Sequence, residues 1–593
     1  MLSTSIRTHS CNELNEKDVK KKVKLGGFIH AQRDHGGLIF IDLRDRYGIT
    51  QIVFDPKDKK LFSEAEKLRR EYVIVVSGVV RVRPKDMTNN KIKTGGIEVL
   101  VNKIESLNRA EVPPIEIDDR IIANEDTRLK YRYLDLRRPI MQRNFIFRHN
   151  IIRTLREFLD KEDFLEMETP MLVKPTPEGA RDYIVPSRVN SGKFYALPQS
   201  PQIYKQILMI SGFDRYYQIA KCLRDEDLRA DRQPEHTQLD LEMSFVNPED
   251  VFELTERMII GLFKKVLKIQ LKNKFPRILY SEAMEKYGTD KPDLRYEMFQ
   301  YTITDLVKNS DFQVFKNAIN NGAIVKCLCV DKAKDITRNQ IDAITEFAKL
   351  EGALGLAWVK IANGKFESNI NKYFSEKIQK DIIRKVNAKD NDLLLFTAET
   401  PKKANSILDK VRQKLAKDLN RIRKDEWQFC FVTDFPLFEF NEETESWDAT
   451  HNPFTLPKEK YWDKLEDDPG SVSSYQYDFV LNGCELFSGS IRNNIPELQE
   501  KVLNVIGISK DDAWKKFGFL MEAYRYGSPR HAGFGLGLDR LIALMLGYTD
   551  IREVIVFPKN KNAQCPMDGS PSDVDDKQLK ELNIKLELAD KSR

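Results

Sequence analysis

Cysteine is scarce in this chain, with seven in 593 residues. That excludes a disulfide framework and fits a reducing compartment, so the cytoplasm is the expected location. Cys327 and Cys329 are too close in sequence for a usual zinc pair, and no second pair answers them. Long hydrophobic runs are also missing. No apolar stretch reaches about 18 residues, so no membrane span is expected. Met1–Ser10 carries no secretory hydrophobic core. The charge is nearly balanced, 96 Lys and Arg against 91 Asp and Glu for a net +5, so only local patches can mark a nucleic-acid surface. Two nucleotide-binding signatures are absent. There is no Gly-x4-Gly-Lys-Ser/Thr loop, and Gly533-Phe-Gly-Leu-Gly537 has neither the spacing nor the surrounding βαβ unit of a dinucleotide fingerprint.

What is present is enough apolar residue for several cores: 41% hydrophobic and 10% aromatic. The length predicts roughly three to five domains. Over residues 1–107 short β-rich runs recur: Val23–His30, Leu38–Asp42, Thr50–Phe54, Val73–Val82 and Ile97–Leu107. One helix-like piece, Leu61–Glu71, falls between the third and fourth. Five strands with a helix in that place predict an OB-fold barrel. Residues 108–139 read as a hinge. Its run Arg128-Leu-Lys-Tyr-Arg-Tyr-Leu-Asp-Leu-Arg-Arg138 interleaves bases with tyrosines, in a pattern suited to a phosphate backbone or to a solvated linker. Helical spacing follows from Asn144 to Lys161, then a strand stopped by Pro170. Residues 295–415 change texture, with a helix expected over Asn339–Leu350, β runs over Ala323–Val330 and Leu393–Thr397, and few charge clusters.

The densest chemistry lies in residues 222–242. An apolar segment, Tyr216–Leu223, leads into Arg224, Asp225, Glu226, Asp227, Arg229, Asp231 and Arg232. Then Thr237–Phe245 alternates, with Gln238, Asp240 and Glu242 on one face and Leu239, Leu241 and Met243 on the other. This predicts two antiparallel strands joined by a charged loop, with arginines and carboxylates turned into one cleft. Guanidinium forks suit phosphate and carboxylate groups, and carboxylates suit an ammonium group or a metal ion. By itself the pattern fits a solvated hairpin with surface salt bridges better than a cleft.

The wording of the motifs goes further. Arg224-Asp-Glu226, a loop, and Gln238-x-Asp-x-Glu242 resemble motif 2 of class II aminoacyl-tRNA synthetases, and Phe213–Gln233 resembles the bacterial-type aspartyl-tRNA synthetases. Asn144–Leu172, a long helix, a strand and a proline, is similar to motif 1. Gly533-Phe-Gly-Leu-Gly-Leu-Asp-Arg540 is similar to motif 3, and Gly352–Ile361 resembles the domain inserted in bacterial-type members. The resemblance implies a multidomain α+β protein with an N-terminal OB-fold barrel for the anticodon. It implies a catalytic domain, an antiparallel sheet flanked by helices, over residues 140–294 and 416–558, an inserted α+β domain over 295–415, and a C-terminal extension over 559–593.

It also implies roles. Arg224 and Arg540 are the expected catalytic residues, at the α- and γ-phosphates of ATP. Asp225, Glu226, Gln233, Glu485, Gly537, Leu538 and Asp539 complete the ATP site, and the motif 3 glycines let adenine lie flat. Lys205 and Arg492 take the side-chain carboxylate of L-aspartate, with Ser200, Gln202, Glu178, Asp240 and His451 around the rest of that amino acid. Asp478 and Glu485 are the candidate Mg2+ ligands, two acids within one β run. Glu485 and Arg492 are seven apart, so a bulge at Ser488-Gly489 is expected in order to turn both inward. Arg33, Phe40 and Gln51 are expected to grip the anticodon, although a lone strand Phe is ordinarily core. His35 and Asp86 stand where such enzymes differ in accepting tRNA(Asn) besides tRNA(Asp). Asn452 and Asn493 stand where many members have His. A homodimer built on motif 1 is implied. The alternatives are a sister enzyme for asparagine or lysine, and a non-catalytic OB-fold RNA-binding paralogue; a relic of that kind should have lost Arg224 and Arg540, and both are present.

Overall fold

A computed structural model describes residues 3–35, 37–175, 180–423 and 425–587. They divide into two compact units. One runs to Ile146 and takes in Val556–Asn560 and Gln564–Pro571. The other holds Phe147–Ile555, Lys561–Ala563 and the described part of the tail from Ser572.

The first unit contains a closed five-stranded barrel of order β1-β2-β3-β5-β4, formed by β1 (Lys22–His35), β2 (Leu38–Asp45), β3 (Gly48–Phe54), β4 (Val73–Val82) and β5 (Ile97–Asn108). Helix Lys59–Glu66, capped by Asp58, lies between the third and fourth strands as the OB-fold pattern requires. Ile39, Ile41 and Leu43 of β2, with Ile52 and Phe54 of β3, fill the barrel. The basic run after the barrel differs from expectation. Helices Glu125–Lys130 and Arg132–Asp135 turn Arg128 (3.0 Å), Arg132 (2.7 Å) and Arg138 (2.8 Å) onto the single carboxylate of Asp135, whose side chain is fully buried. These three arginines are therefore an internal ion cluster and not an open phosphate track. A buried carboxylate needs such partners, and arginine forks supply them.

In the second unit an eight-stranded sheet carries the site. Its strands are β6 (Leu165–Glu166), then, past a small hairpin of β7 (Ile184–Pro186) and β8 (Phe194–Ala196), β9 (Arg215–Leu223), β10 (Glu235–Ser244) and β11 (Arg277–Leu279). The chain then builds a separate five-stranded sheet of β12 (Gln300–Thr302), β13 (Ile324–Val330), β14 (Ala357–Ala362), β15 (Lys365–Glu367) and β16 (Leu393–Glu399), order β12-β13-β16-β14-β15, with its own apolar cores. Its last helix, Pro401–Asp418, runs past the boundary expected at 415. The main sheet resumes with β17 (Phe429–Thr433), a hairpin of β18 (Phe438–Asn441) and β19 (Ser446–Ala449), β20 (Gln476–Leu481), β21 (Cys484–Ile491) and β22 (His531–Gly537), giving the order β11-β17-β20-β21-β22-β10-β9-β6.

The motif 1 helix begins at Pro139, five residues before its apolar spacing does, and buries Ile151, Leu155 and Leu159 against the sheet. Proline is suited to a first helical turn, where its missing N–H leaves no bond unmade. A row of stacked rings crosses the sheet: Phe429 to Phe479 at 5.4 Å, Phe479 to Phe487 at 5.1 Å and Phe487 to Phe534 at 4.0 Å. Such contacts, worth about 1 kcal/mol each beyond burial, stiffen the floor on which the site stands. Among the described residues no helix is long and apolar enough to cross a membrane.

Candidate active site

The alternation in Thr237–Phe245 is the origin of the site. β9 and β10 pair antiparallel, Glu242 opposite Tyr216 and Asp240 opposite Gln218. Leu239 and Leu241 go to the core, so Asp240 and Glu242 point to the other face, at 1% and 0% exposure. Helix Gln202–Ile210 brings Lys205 to the same spot. Its Nζ lies 3.0 Å from Oδ2 of Asp240 and 3.3 Å from Oε2 of Glu242. Arg492 donates to both oxygens of Glu242, from Nε at 2.8 Å and Nη2 at 3.0 Å, and from Nη1 to Ser490 Oγ at 2.9 Å. Burial pushes Asp240 up to about 6 despite Lys205. The same burial acts on Glu242, but Arg492 and then Lys205 outweigh it, and its carboxyl sits below the ordinary range.

Lys205 and Arg492 each already have a protein carboxylate, Asp240 and Glu242. The reason is desolvation: two unpaired cations this deeply buried would cost several kcal/mol apiece. Glu242 is thus a residue of the site that the sequence reading left unassigned, although the alternation put it on the right face.

The glycines of β22 are explained by the same groups. A Cβ at Gly533 would come within 2.0 Å of the Leu241 carbonyl oxygen and 2.2 Å of Glu242 Oε2. Only glycine leaves room there for the Glu242 carboxylate, so Gly533 serves a protein group and not adenine. Gly535 and Gly537 do border the open cavity.

That cavity has a volume of about 710 Å3, within the usual range for small-molecule sites. Lys205, Arg492, Arg224 and Arg540 all line it, as do Asp240, Ser200, Gln202, Gln233, Glu226, His451, Glu485 and Asp539. At one end Arg224 and Arg540 each keep a buried Nε with no partner. Arg540 Nη1 donates to the Glu485 carbonyl at 2.7 Å, and its Nη2 to Asp231 at 3.2 Å. His236, unremarked in the sequence, lines the same cavity. Burial, then Arg224 and Arg540, lower its pKa to about 3, so it stays neutral at any working pH. At the other end the Nε2 of Gln202 is buried without a partner, and Ser200 Oγ accepts from the Gln202 N–H at 3.3 Å.

Some expected residues stand elsewhere. Leu538 faces the apolar core, and Asp225 turns to Arg181, 3.7 Å between side chains, neither on the cavity wall. Asp539 is a tether as well as a wall. It accepts from the Thr237 N–H at 2.7 Å and pairs with Arg148, locking β10 to the helix that begins at Leu538. Glu226 is held by Arg232 at 3.0 Å. Glu178 lies outside the described residues; Ala180, just after it, is fastened by both ends of the Gln199 amide. Asn452 makes a turn, its Oδ1 accepting from the Phe454 N–H at 2.8 Å, and Asn493 is buried and accepts from the Ile495 N–H.

The bulge that turns Glu485 inward exists, but at Leu486. Phe479 pairs with Phe487 and Val480 with Glu485, which leaves Leu486 as the extra residue. Glu485 thereby joins the face of Asp478. Asp478 is fully buried, with one carboxylate oxygen, Oδ2, lacking any partner, and burial followed by the charge of Glu485 pushes its carboxyl well up. A desolvated carboxylate with an unused oxygen beside a second carboxylate is a donor set that fits a hard divalent cation. Asp290 and His451 bring further ligand atoms, all within 4.8 Å of each other and of Asp478. Burial holds the His451 ring below its ordinary pKa. Nothing in the sequence pointed to Asp290, which comes from a distant segment.

On the barrel, Phe40 lies outside the cluster that Ile39, Ile41 and Leu43 form, yet it is itself buried, at 8% exposure. The register sets Arg33 opposite Phe40 and Gln51 opposite Asp42, so all four share the outer face. Arg33 pairs with Asp42 at 3.0 Å and Gln51 donates to Glu98 at 2.7 Å. His35 ends β1, and Asp86 lies in a short 3-10 turn, Lys85–Met87; both are exposed.

A catalytic sheet with paired carboxylates, facing arginines and a preceding OB barrel defines a class, and the comparisons agree. Residues 124–561 match the family of class II tRNA synthetases (D, K and N), to which the chain belongs, and residues 23–107 match the OB-fold nucleic acid binding domain. Within that family the chain is 52% identical to the aspartate–tRNA(Asp/Asn) ligase of Caldanaerobacter subterraneus subsp. tengcongensis, covering 98% of each chain. It is 47% identical to the aspartate–tRNA ligase of Ruminiclostridium cellulolyticum, again covering 98% of each. The asparaginyl-tRNA synthetase of Pyrococcus horikoshii, solved with asparaginyl-adenylate, shares the fold at 20% identity and a TM-score of 0.58, covering 93% of this chain and 97% of that one.

Proposed function

We propose that this enzyme is an aspartate–tRNA ligase. It joins L-aspartate and ATP into aspartyl-adenylate with release of pyrophosphate, then passes the aspartyl group to the 3′ end of tRNA(Asp) and also of tRNA(Asn). The observation that carries the reading is that two phosphate-suited arginines, Arg224 and Arg540, and two deeply buried cations, Lys205 and Arg492, line one cavity.

The chemistry asks little of proton transfer. The substrate α-carboxylate is already an anion, so the residues position it and stabilise charge at the α-phosphate. Arg224, with its free Nε, meets that phosphate and the attacking carboxylate. Neutral His236 offers one hydrogen bond beside it without adding repulsion between the arginines. Arg540 meets the γ-phosphate. Asp240 accepts the substrate ammonium on the side that Lys205 leaves open, its Oδ1 having no partner. The aspartate side chain joins the Lys205–Glu242–Arg492 group, where its charge is shared between two cations. Asp478 and Glu485 would hold Mg2+, which when bound neutralises charge on the phosphates.

Exposed Arg33, on one barrel face with the more covered Phe40 and Gln51, supports an anticodon grip on that face. Exposed Leu165, Met171 and Leu172, just after the motif 1 helix, support a homodimer. Acceptance of tRNA(Asn) is supported by His35 and by relatives known as aspartate–tRNA(Asp/Asn) ligases. Charging each purified tRNA with labelled aspartate tests the proposal: both are expected to be charged. No charging of tRNA(Asp) would refute the activity, and failure on tRNA(Asn) alone would refute the relaxed specificity.

A further inference from the structure

Residues 288–296 reach the cavity from the stem by which the chain leaves the main sheet and enters the inserted one. The stem is held on two sides. From the inserted domain, Arg412, 0% exposed, donates from Nη2 to the carbonyls of Asp293 at 2.7 Å and Tyr296 at 2.9 Å, and from Nε to that of Met298 at 3.1 Å. Its guanidinium also lies over the Tyr296 ring, 4.3 Å from the centroid. From the main sheet, Gly483 in the turn between β20 and β21 fits closely against Asp293, where a Cβ would come within 3.2 Å. What this clamped stem presents to the cavity is Lys291. Its Nζ is 3.1 Å from Oε2 of Glu485 and 3.8 Å from Oδ2 of Asp290.

We propose that Lys291 is the resident counter-cation of the divalent-ion site: it holds the Glu485 carboxylate in the nucleotide-free enzyme and, when the ion and ATP arrive, gives up Glu485 and binds the β,γ-phosphate oxygens that leave as pyrophosphate. The proposal rests on the reading that the triphosphate occupies this cavity. Asp478, Glu485 and Asp290 converge in a partly desolvated place, and carboxylates so gathered need positive charge whether or not an ion is bound. An ammonium on a flexible four-carbon stem is a compact, mobile charge with three donors, suited to exchanging a carboxylate for phosphate oxygens. Lys291 keeps 39% side-chain exposure, which leaves it room to turn. The inserted domain thereby acquires a part in adenylation, since its Arg412 fixes the backbone that delivers the lysine.

The test uses the full chain as wild type, K291M and K291R. Mn2+ binding to nucleotide-free protein is followed by electron paramagnetic resonance, and ATP–pyrophosphate exchange gives the Michaelis constants. K291M is expected to bind Mn2+ about tenfold more tightly, because no resident cation must be displaced. The same variant is expected to raise KM for ATP and for pyrophosphate at least tenfold, with KM for aspartate unchanged. K291R should restore both values towards wild type. A merely structural lysine would not move the two affinities in opposite directions. Mn2+ affinity in K291M that is unchanged or weaker overturns the proposal, as does an unchanged KM for ATP. A wild-type enzyme with no aspartate-dependent exchange would instead overturn the functional reading beneath it.

Discussion

Lys205 and Asp240 meet at 3.0 Å with side chains 1% and 2% exposed, and Glu242 completes the group at 3.3 Å from the same Nζ. The ammonium therefore balances two buried carboxylates before any substrate arrives. Removing it in K205M leaves them short of charge. Unfolding in denaturant is expected to show a loss of about 3 kcal/mol or more, and aspartate-dependent exchange a KM for aspartate raised at least a hundredfold while KM for ATP holds.

Asp240 also gives the site a pH dependence. With its carboxyl pushed up to about 6, among Lys205, Glu242, Arg492 and the Tyr216 hydroxyl, it gains a proton as the pH falls from 7 to 5 and can no longer accept from an ammonium. KM for aspartate is expected to rise over that interval, and to be high and nearly pH-independent there in D240N. For stability the sign is the opposite of the usual carboxylate. A raised pKa favours the folded state fully below the unfolded value of about 4 and loses that contribution as the pH rises through about 6. Denaturation of wild type and D240N from pH 4 to 7 checks this.

Arg492 and Glu242 form the bidentate pair of the site. R492L is expected to spare ATP binding and abolish aspartate use, and to cost about 3–5 kcal/mol because Glu242 is left buried and uncompensated. The double variant R492L/E242L removes both charges and should regain much of that stability. A double-mutant cycle by denaturant unfolding measures the coupling, expected at about 2 kcal/mol or more.

Two glycines of motif 3 separate packing from ligand space. G533A drives a Cβ into backbone and carboxylate within about 2 Å and is expected to destabilise by about 3 kcal/mol. G537A meets nothing nearer than 3.7 Å, so its melting temperature should match wild type and any defect should fall on KM for ATP.

Phe40 and Phe54 stand on opposite sides of the barrel wall. F54A opens the core and should cost about 3–5 kcal/mol. F40A also removes a ring that is 8% exposed and should cost some stability; it is expected to leave tRNA-free pyrophosphate exchange untouched and to weaken tRNA binding by about 1–3 kcal/mol, read as a raised Kd in filter binding.

Much of this was legible in the residues. Period-two alternation from Thr237 put Asp240 and Glu242 on one face, and the spacing of Gln202 and Lys205 turned both to the cavity. The bulge was foreseen because Glu485 and Arg492 had the wrong parity, but its position was not, since one extra residue in a strand leaves no mark on composition. The basic run after the barrel misled because a single acid, Asp135, gathers three arginines through two short helices whose turns only the fold defines. Which side of the barrel wall Phe40 occupies was not legible, because the hydrophobic runs of β2 do not say which side is inside. Lys291, Asp290 and Arg412 were invisible for another reason: they come from the stem and the inserted domain, and only the close fit of residues 288–296 against the β20–β21 turn brings the first two to Asp478 and Glu485.

The most direct measurement of the central claim is ATP–pyrophosphate exchange with aspartate, asparagine and lysine in turn. If one cavity joins ATP to an acidic amino acid through Arg224, Lys205 and Arg492, aspartate alone supports rapid exchange and R224A abolishes it. Exchange driven better by asparagine or lysine, or exchange that survives R224A, would contradict the account.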